Sequence, residues 1–72
     1  PEIFGETFKV QLAKQLKTAR TKAHLTQQEV ADAMLTHKAA VARIESAKHL
    51  PSLATLIKYG QAVDCLLELK LI

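Results

Sequence analysis

The stretch that decides the fold is Leu25-Thr26-Gln27-Gln28-Glu29-Val30-Ala31. Thr26 followed three residues later by Glu29 is the pattern of a capping box, in which each side chain accepts the other residue's backbone N–H at the start of a helix. The apolar residues before the threonine and after the glutamate can pack together as a hydrophobic staple. The pattern therefore predicts a short helix over residues 27–34.

On both sides of this helix, apolar residues recur at steps of three and four, as on one face of an α-helix. The periodicity predicts a first helix over residues 7–22, a third over 37–47 and a fourth over 52–63. In the third helix Val41 and Ile44 share one side, which leaves the opposite side free to contact something else. We expect a single, mainly all-α domain that spans residues 1–72.

The C-terminal residues change period. Leu67, Leu69 and Leu71 alternate with Glu68 and Lys70, which predicts a β-strand over residues 66–71. One strand in a helical chain lacks a partner, so we expect it to pair with the same strand of a second copy and to join a homodimer, with the three leucines at the dimer contact. The alternative is a short fifth helix whose leucines belong to the core.

Size and composition exclude several classes of function. A chain of 72 residues leaves little room for a deep enzyme cleft. No Ser/His/Asp, Cys/His or paired-carboxylate grouping is visible in the sequence. The three histidines, at positions 24, 37 and 49, do not have the spacing of a metal site. We therefore expect neither an enzyme nor a metal or cofactor site, whereas the net charge of +3 permits a polyanionic partner.

The single cysteine, Cys65, cannot form a disulfide within the chain, and we expect it to be a small hydrophobic residue in a buried or half-buried position. No signal-like start and no run of 18 apolar residues is present, so no membrane partner is expected. These features predict a reduced, cytoplasmic setting.

Two short helices joined by a tight turn form the helix-turn-helix arrangement. The free side of the third helix carries Lys38 and Arg43, and a guanidinium group can bind guanine O6 and N7 in the major groove of DNA. Ala39 and Ala40 permit close approach and offer methyl groups to thymine. The alternative is an ordinary solvated helix face.

Three segments together resemble the Cro/C1 (XRE) family of helix-turn-helix repressors. They are the stretch 25–31, then Ala40-Val41-Ala42-Arg43-Ile44-Glu45-Ser46, then Pro51-Ser52-Leu53-Ala54-Thr55-Leu56. Within that family, the part from Val41 to Leu56 and the leucine-rich ending after Cys65 are similar to the antitoxins of HigBA-type toxin–antitoxin modules.

The resemblance implies a transcriptional repressor that binds a palindromic operator in double-stranded DNA as a homodimer. It further implies an antitoxin that represses its own operon and neutralises a ribonuclease toxin, in the cytoplasm of a bacterium or in a phage context. Two alternatives stay open: a solitary regulator of the same family without a toxin, and a protein-interaction module of the same fold.

The resemblance and the placement of polar residues together give the candidate DNA contacts. Base reading is expected from His37, Lys38, Ala39, Ala40 and Arg43. Phosphate contact is expected from Lys22, Thr26, Gln27, Thr36, Ser46, Lys48 and His49. The resemblance also pairs Arg20 with Glu45 in a structural ion pair.

The sequence departs from the family where glycine is usual in three turns, at Leu35, Ala47 and Asp64. We therefore expect an altered or strained turn at Leu35 and a third helix that runs further than usual. Conversely, Gly60 lies inside the fourth helix at a cost of about 1 kcal/mol relative to alanine. That cost indicates that another backbone packs closely against it.

Overall fold

The computed structural model describes the backbone of residues 2–71 and the side chains of residues 7–69. It contains four helices in chain order: α1 (Glu2–Lys22), α2 (Gln27–Ala33), α3 (Lys38–Ile44) and α4 (Leu53–Leu71). No strand is present in this part of the chain. The prediction of an all-α helix-turn-helix domain is confirmed.

The core forms where α2 and α3 meet α4 and the end of α1. Val30, Ala31 and Val41 have no exposed surface, and Tyr59 is only 1% exposed. Partly buried side chains from α1, α3 and α4, and Met34 directly after α2, surround them. Small and β-branched residues at these positions allow the two short helices to approach closely.

The start of α2 has the geometry that the capping box predicts. The backbone N–H of Glu29 donates to Thr26 Oγ1 at 3.0 Å, and the backbone N–H of Thr26 donates to Glu29 Oε1 at 2.9 Å. Leu25, immediately before the cap, is 3% exposed and belongs to the core. Local side-chain chemistry therefore sets the first residue of α2.

Three turns contain a non-glycine residue in the left-handed region: His24 at φ 58°, Leu35 at φ 58° and Ala47 at φ 65°. This backbone costs about 1–2 kcal/mol for residues other than glycine. Leu35 and Ala47 are two of the positions where the sequence departs from the family. The turn at Leu35 thus keeps the shape that glycine favours, with a side chain that is 94% exposed.

The expectation that the third helix extends to residue 47 is wrong. α3 ends at Ile44, Glu45 caps it, and Ser46 Oγ donates to the backbone oxygen of Arg43 at 2.7 Å. The left-handed backbone of Ala47 then turns the chain away from the helix axis. At the other end His37 is the N-cap residue, so α3 begins at Lys38.

The predicted strand over residues 66–71 is also wrong, because α4 continues as one helix to Leu71. Leu66 and Leu67 pack against the core cluster together with Val63, at helical spacing. Leucine, glutamate and lysine are all good helix formers, so the alternating pattern fits a helix as well. The fifth-helix alternative has the correct secondary structure, but these residues belong to α4 and no break occurs at Asp64.

The dimer ribbon built on that strand is consequently ruled out. Leu67 packs against the core of its own chain, and Leu69 is 63% exposed on the helix surface. Leu71 is the last helical residue, and its side chain lies outside the described ones.

Two smaller expectations about α4 also fail. A Cβ atom added to Gly60 would meet nothing within 4 Å, so no described part of the chain packs against this glycine. Cys65 is exposed and is not a core residue.

Candidate nucleic-acid interface

The outward side of α3 is available for contact along its whole length. Val41 is fully buried and fixes the orientation of the helix, while Ile44 is half-buried beside it. Ala39 and Arg43 lie one turn apart on the opposite side, and both are exposed. Lys38 is exposed on one flank, and Ala40 is half-buried on the other. The candidate base-reading residues therefore share one surface, with His37 exposed at its N-terminal edge.

Arg43 is the central cation of this surface. Its guanidinium group makes no hydrogen bond or ion pair with any side chain or backbone group in the part of the chain that the structure describes. Its two alanine neighbours, Ala39 and Ala40, do not screen it from solvent. The five N–H donors of a guanidinium group remain available for a planar acceptor such as a guanine edge.

A cleft of about 630 Å³ runs beside α3 and extends the surface towards α4. Its lining includes Arg43 and Ala40 of α3, His49 of the following loop and Lys58 of α4. Sequence reasoning missed Lys58, because it lies on another helix and only the fold brings it near α3. The cations around this cleft make it a favourable place for polyanion contact.

The candidate phosphate residues fall into two groups. Lys22, Lys48 and His49 are exposed, and their side chains make no hydrogen bond or ion pair with the described residues. The others already take part in internal structure. Thr26 Oγ1 caps α2, Thr36 is half-buried, and Ser46 Oγ bonds the end of α3.

Gln27 has an internal partner as well. Its Nε2 group donates to Glu45 Oε1 at 3.1 Å, and its side chain is half-buried. This bond fixes the orientation of the amide at the N-terminal end of α2. Any phosphate contact by Gln27 would come from a side chain that Glu45 already holds.

Arg20 and Glu45, which the resemblance pairs, are joined by a bidentate ion pair. Arg20 Nε donates to Glu45 Oε2 at 2.7 Å, and Arg20 Nη2 donates to Glu45 Oε1 at 2.9 Å. Their side chains are only 9% and 3% exposed. Arg20 Nη1 also donates to the backbone oxygen of Leu25 at 2.8 Å. The pair therefore connects α1 to the end of α3 and to the turn before α2.

Tyr59 completes this cluster from α4. Its hydroxyl group donates to Glu45 Oε2 at 2.6 Å and lies 2.9 Å from the backbone oxygen of Leu16. Sequence reasoning missed this residue. The available signal was an aromatic side chain with a polar tip inside the apolar stripe of the fourth helix, since a buried tyrosine hydroxyl needs a partner.

The cluster shifts the pKa of each of its ionisable members. Burial acts to raise the pKa of Glu45, but the hydrogen bonds from Arg20, Tyr59 and Gln27 outweigh it and hold that pKa below its ordinary value. The hydrogen bond to Glu45 raises the pKa of Arg20, against the opposite effect of burial. Burial and the neighbouring carboxylate raise the pKa of Tyr59 far above its usual range. Glu45 is therefore ionised, and Tyr59 neutral, throughout the neutral pH range.

Two further observations concern only the described residues. No three His, Cys, Asp or Glu side chains come together in a way that could hold a metal ion. No helix there has both the length and the apolar character needed to cross a membrane.

No curated protein and no solved structure matches the chain. A match at the level of a protein family, however, agrees with the geometry of the interface. A family model for the helix-turn-helix domain matches residues 16–69, three quarters of the chain, from the last third of α1 almost to the end of α4. This match supports the Cro/C1 resemblance at the level of the family and suggests a DNA-binding regulator. The chain belongs to the helix-turn-helix family of DNA-binding regulators.

Proposed function

We propose that the chain is a sequence-specific transcriptional repressor that reads a palindromic operator through α3. The observation that carries the proposal is the outward side of α3, where Arg43 is exposed and has no partner in the described residues. An α-helix fits the major groove, where an arginine can discriminate guanine through two hydrogen bonds. The base-reading and phosphate-binding roles of the other candidate residues are part of this proposal.

The repressor acts as a homodimer. Two copies related by a two-fold axis place their α3 helices about 34 Å apart, one turn of the duplex, and so match the symmetry of a palindromic site. The support is the symmetry of such operators and the resemblance to dimeric repressors. A cytoplasmic setting in a bacterium or a phage belongs to the same proposal.

The test starts with the operator, which can be selected with the wild-type protein from a pool of random duplexes. On the selected site, Arg43→Ala should lose about 1–3 kcal/mol of binding free energy and relax the preference at one base pair. Lys14→Ala is the control, because this lysine is exposed on α1 and lies outside the proposed interface. Equal losses on the selected site and on scrambled DNA would show that Arg43 contacts only phosphate.

A second variant separates the phosphate contacts from base reading. Lys48→Ala should weaken binding to all sequences alike and reduce the slope of log K against log salt by about one unit. The reason is that Lys48 is an exposed cation in the loop after α3, outside the helix proposed to read the bases. An unchanged slope would remove Lys48 from the interface.

We further propose that the regulator is an antitoxin, with a ribonuclease toxin as its second partner. The support is the resemblance of Val41 to Leu56 and of the leucine-rich ending to the antitoxins of HigBA-type modules. The test is to express the chain together with the product of a small basic open reading frame next to its gene, and to measure growth and complex formation. If the neighbouring gene product arrests growth and the chain does not relieve the arrest, the antitoxin proposal is wrong and the alternative of a solitary regulator stands.

A further inference from the structure

A second, apolar groove lies between α1 and α4. Leu16 and Ala19 form its α1 side, and Leu56, Val63 and Leu67 are among the apolar residues of its α4 side. The groove has a volume of about 440 Å³, and it shares no lining residue with the cleft beside α3. Its occupation would therefore leave the candidate DNA surface open.

Large apolar side chains continue this groove onto the surface. Ile57 lines it and is 50% exposed, and Leu53, one turn earlier on the same side of α4, is 73% exposed. Phe8, which is 57% exposed, lies on the α1 stripe that continues through Leu12 to Leu16. An apolar patch of this kind on a small domain marks a surface that contacts another molecule.

Gly60 lines the groove, and no contact within the described part of the chain explains why a glycine lies at this position. Glycine weakens the middle of a helix, and it is retained where another backbone must come close. No described atom would meet a Cβ added at this position, and the residue is exposed in the groove wall. The space above Gly60 is therefore open to a backbone from outside the chain.

The charges beside the groove indicate that this outside backbone belongs to a second copy of the chain. Between positions 7 and 22 of α1, Arg20 is buried in its ion pair with Glu45, and the other charged residues are four lysines. On α4, Asp64 lines the groove and Glu68 is exposed one turn later. A basic helix on one side and acidic residues on the other complement each other when α1 of one copy meets α4 of another, and a two-fold axis repeats that attraction.

We propose that the groove between α1 and α4 is the homodimer interface, with α1 of a second copy packed across Gly60 and Ile57 of the first. This inference rests on the proposed dimeric function and gives it a surface. It replaces the strand ribbon, and it leaves both α3 helices free to read DNA.

The test is sedimentation equilibrium of the free protein, without DNA, from about 1 to about 100 µM. Ile57→Glu should weaken the dimer at least about tenfold, because it places an unpaired charge in an apolar contact. Val10→Glu is the matched control, because Val10 is 52% exposed but lies on the side of α1 away from the groove. The dissociation constant of the Val10→Glu dimer should equal that of the wild-type dimer.

Gly60→Ala gives a test that loss of folding cannot imitate. The added methyl group has free space in the single chain and favours the helix, so the melting temperature of the dilute protein should rise. The same methyl group should weaken self-association, because it occupies the space of the second backbone.

Three outcomes would overturn the interface: a wild type that is monomeric at the highest concentration, an Ile57→Glu protein that dimerises like the wild type, or a Gly60→Ala protein that dimerises more tightly. If the wild type is monomeric, the groove is not a homodimer interface, and its expected occupant is a different protein. None of these outcomes bears on DNA reading by α3, because the comparison of Arg43→Ala on the selected site and on scrambled DNA tests that separately.

Discussion

Replacing Glu45 by glutamine keeps the shape of the side chain and removes its charge. Each carboxylate oxygen accepts two hydrogen bonds: Oε1 from Arg20 and Gln27, and Oε2 from Arg20 and Tyr59. Whichever position the new amide nitrogen takes, its N–H group faces an N–H group of Arg20, which can only donate. Glu45→Gln therefore loses at least one hydrogen bond from Arg20 and leaves the buried guanidinium group without a counter-charge.

The expected cost follows from the burial of the pair. Arg20 is 7% exposed, so water cannot replace the lost carboxylate. Removing one partner of such a pair costs about 3–5 kcal/mol. Since domains of this size have stabilities near the lower end of about 5–15 kcal/mol, the variant should be close to unfolded at room temperature. Each lost kcal/mol should lower the melting temperature by about 4–8 °C.

The assay is urea unfolding followed by circular dichroism. Asp32→Asn is the control, because this carboxylate is exposed on α2 and its bond from Gln28 can be accepted by the amide oxygen instead, so the unfolding free energy should change by less than about 0.5 kcal/mol. The double variant Arg20→Met/Glu45→Met should be more stable than Glu45→Gln, because it leaves no buried charge without a partner. A Glu45→Gln protein within about 1 kcal/mol of the wild type would refute the reasoning.

Three further perturbations test other parts of the structure. Thr26→Ala removes the capping oxygen of α2 and should cost about 1 kcal/mol in urea unfolding, whereas an unchanged midpoint would contradict the cap. Leu35→Gly should stabilise the fold by about 0.5–1 kcal/mol, because it relieves a left-handed φ of 58° and loses no buried contact, and a lower melting temperature would speak against this strain. The folded pKa of Glu45 lies below its ordinary value of 4.5, so its contribution is fully present above pH 4.5 and is lost as the pH falls through the lower folded value. The stability gap between wild type and Glu45→Gln should accordingly narrow in acid melts, and a gap that stays constant down to strong acid would disagree with this linkage.

The features that could be predicted from the sequence are those with local causes. The capping box acts over three residues, so Thr26 and Glu29 predict the start of α2 without knowledge of the rest of the fold. The outward side of α3 follows from helical period alone, because Val41 and Ile44 have to face the core.

What could not be predicted depends on distant parts of the chain. Tyr59 meets Leu16 across 43 positions, and nothing in the sequence selects that partner. The spacing of the C-terminal leucines fits both the period of a strand and that of a helix. Only the packing of Leu66 and Leu67 on the core favours the helix. Lys58 lies on α4 and lines the cleft beside α3 only because the fold brings the two helices together. No short-range sequence pattern predicts this geometry.

The two helices in the middle of the chain, α2 and α3, have seven residues each. Helices shorter than about 12 residues are unstable alone in water, so neither persists unless α1 and α4 hold it in place. Their hydrogen-bonded backbone N–H groups should therefore exchange with deuterium only when the whole domain opens, at the free energy of global unfolding. The surface proposed to read DNA would in that case have no partly folded form in which α3 is present and the remainder of the domain is absent.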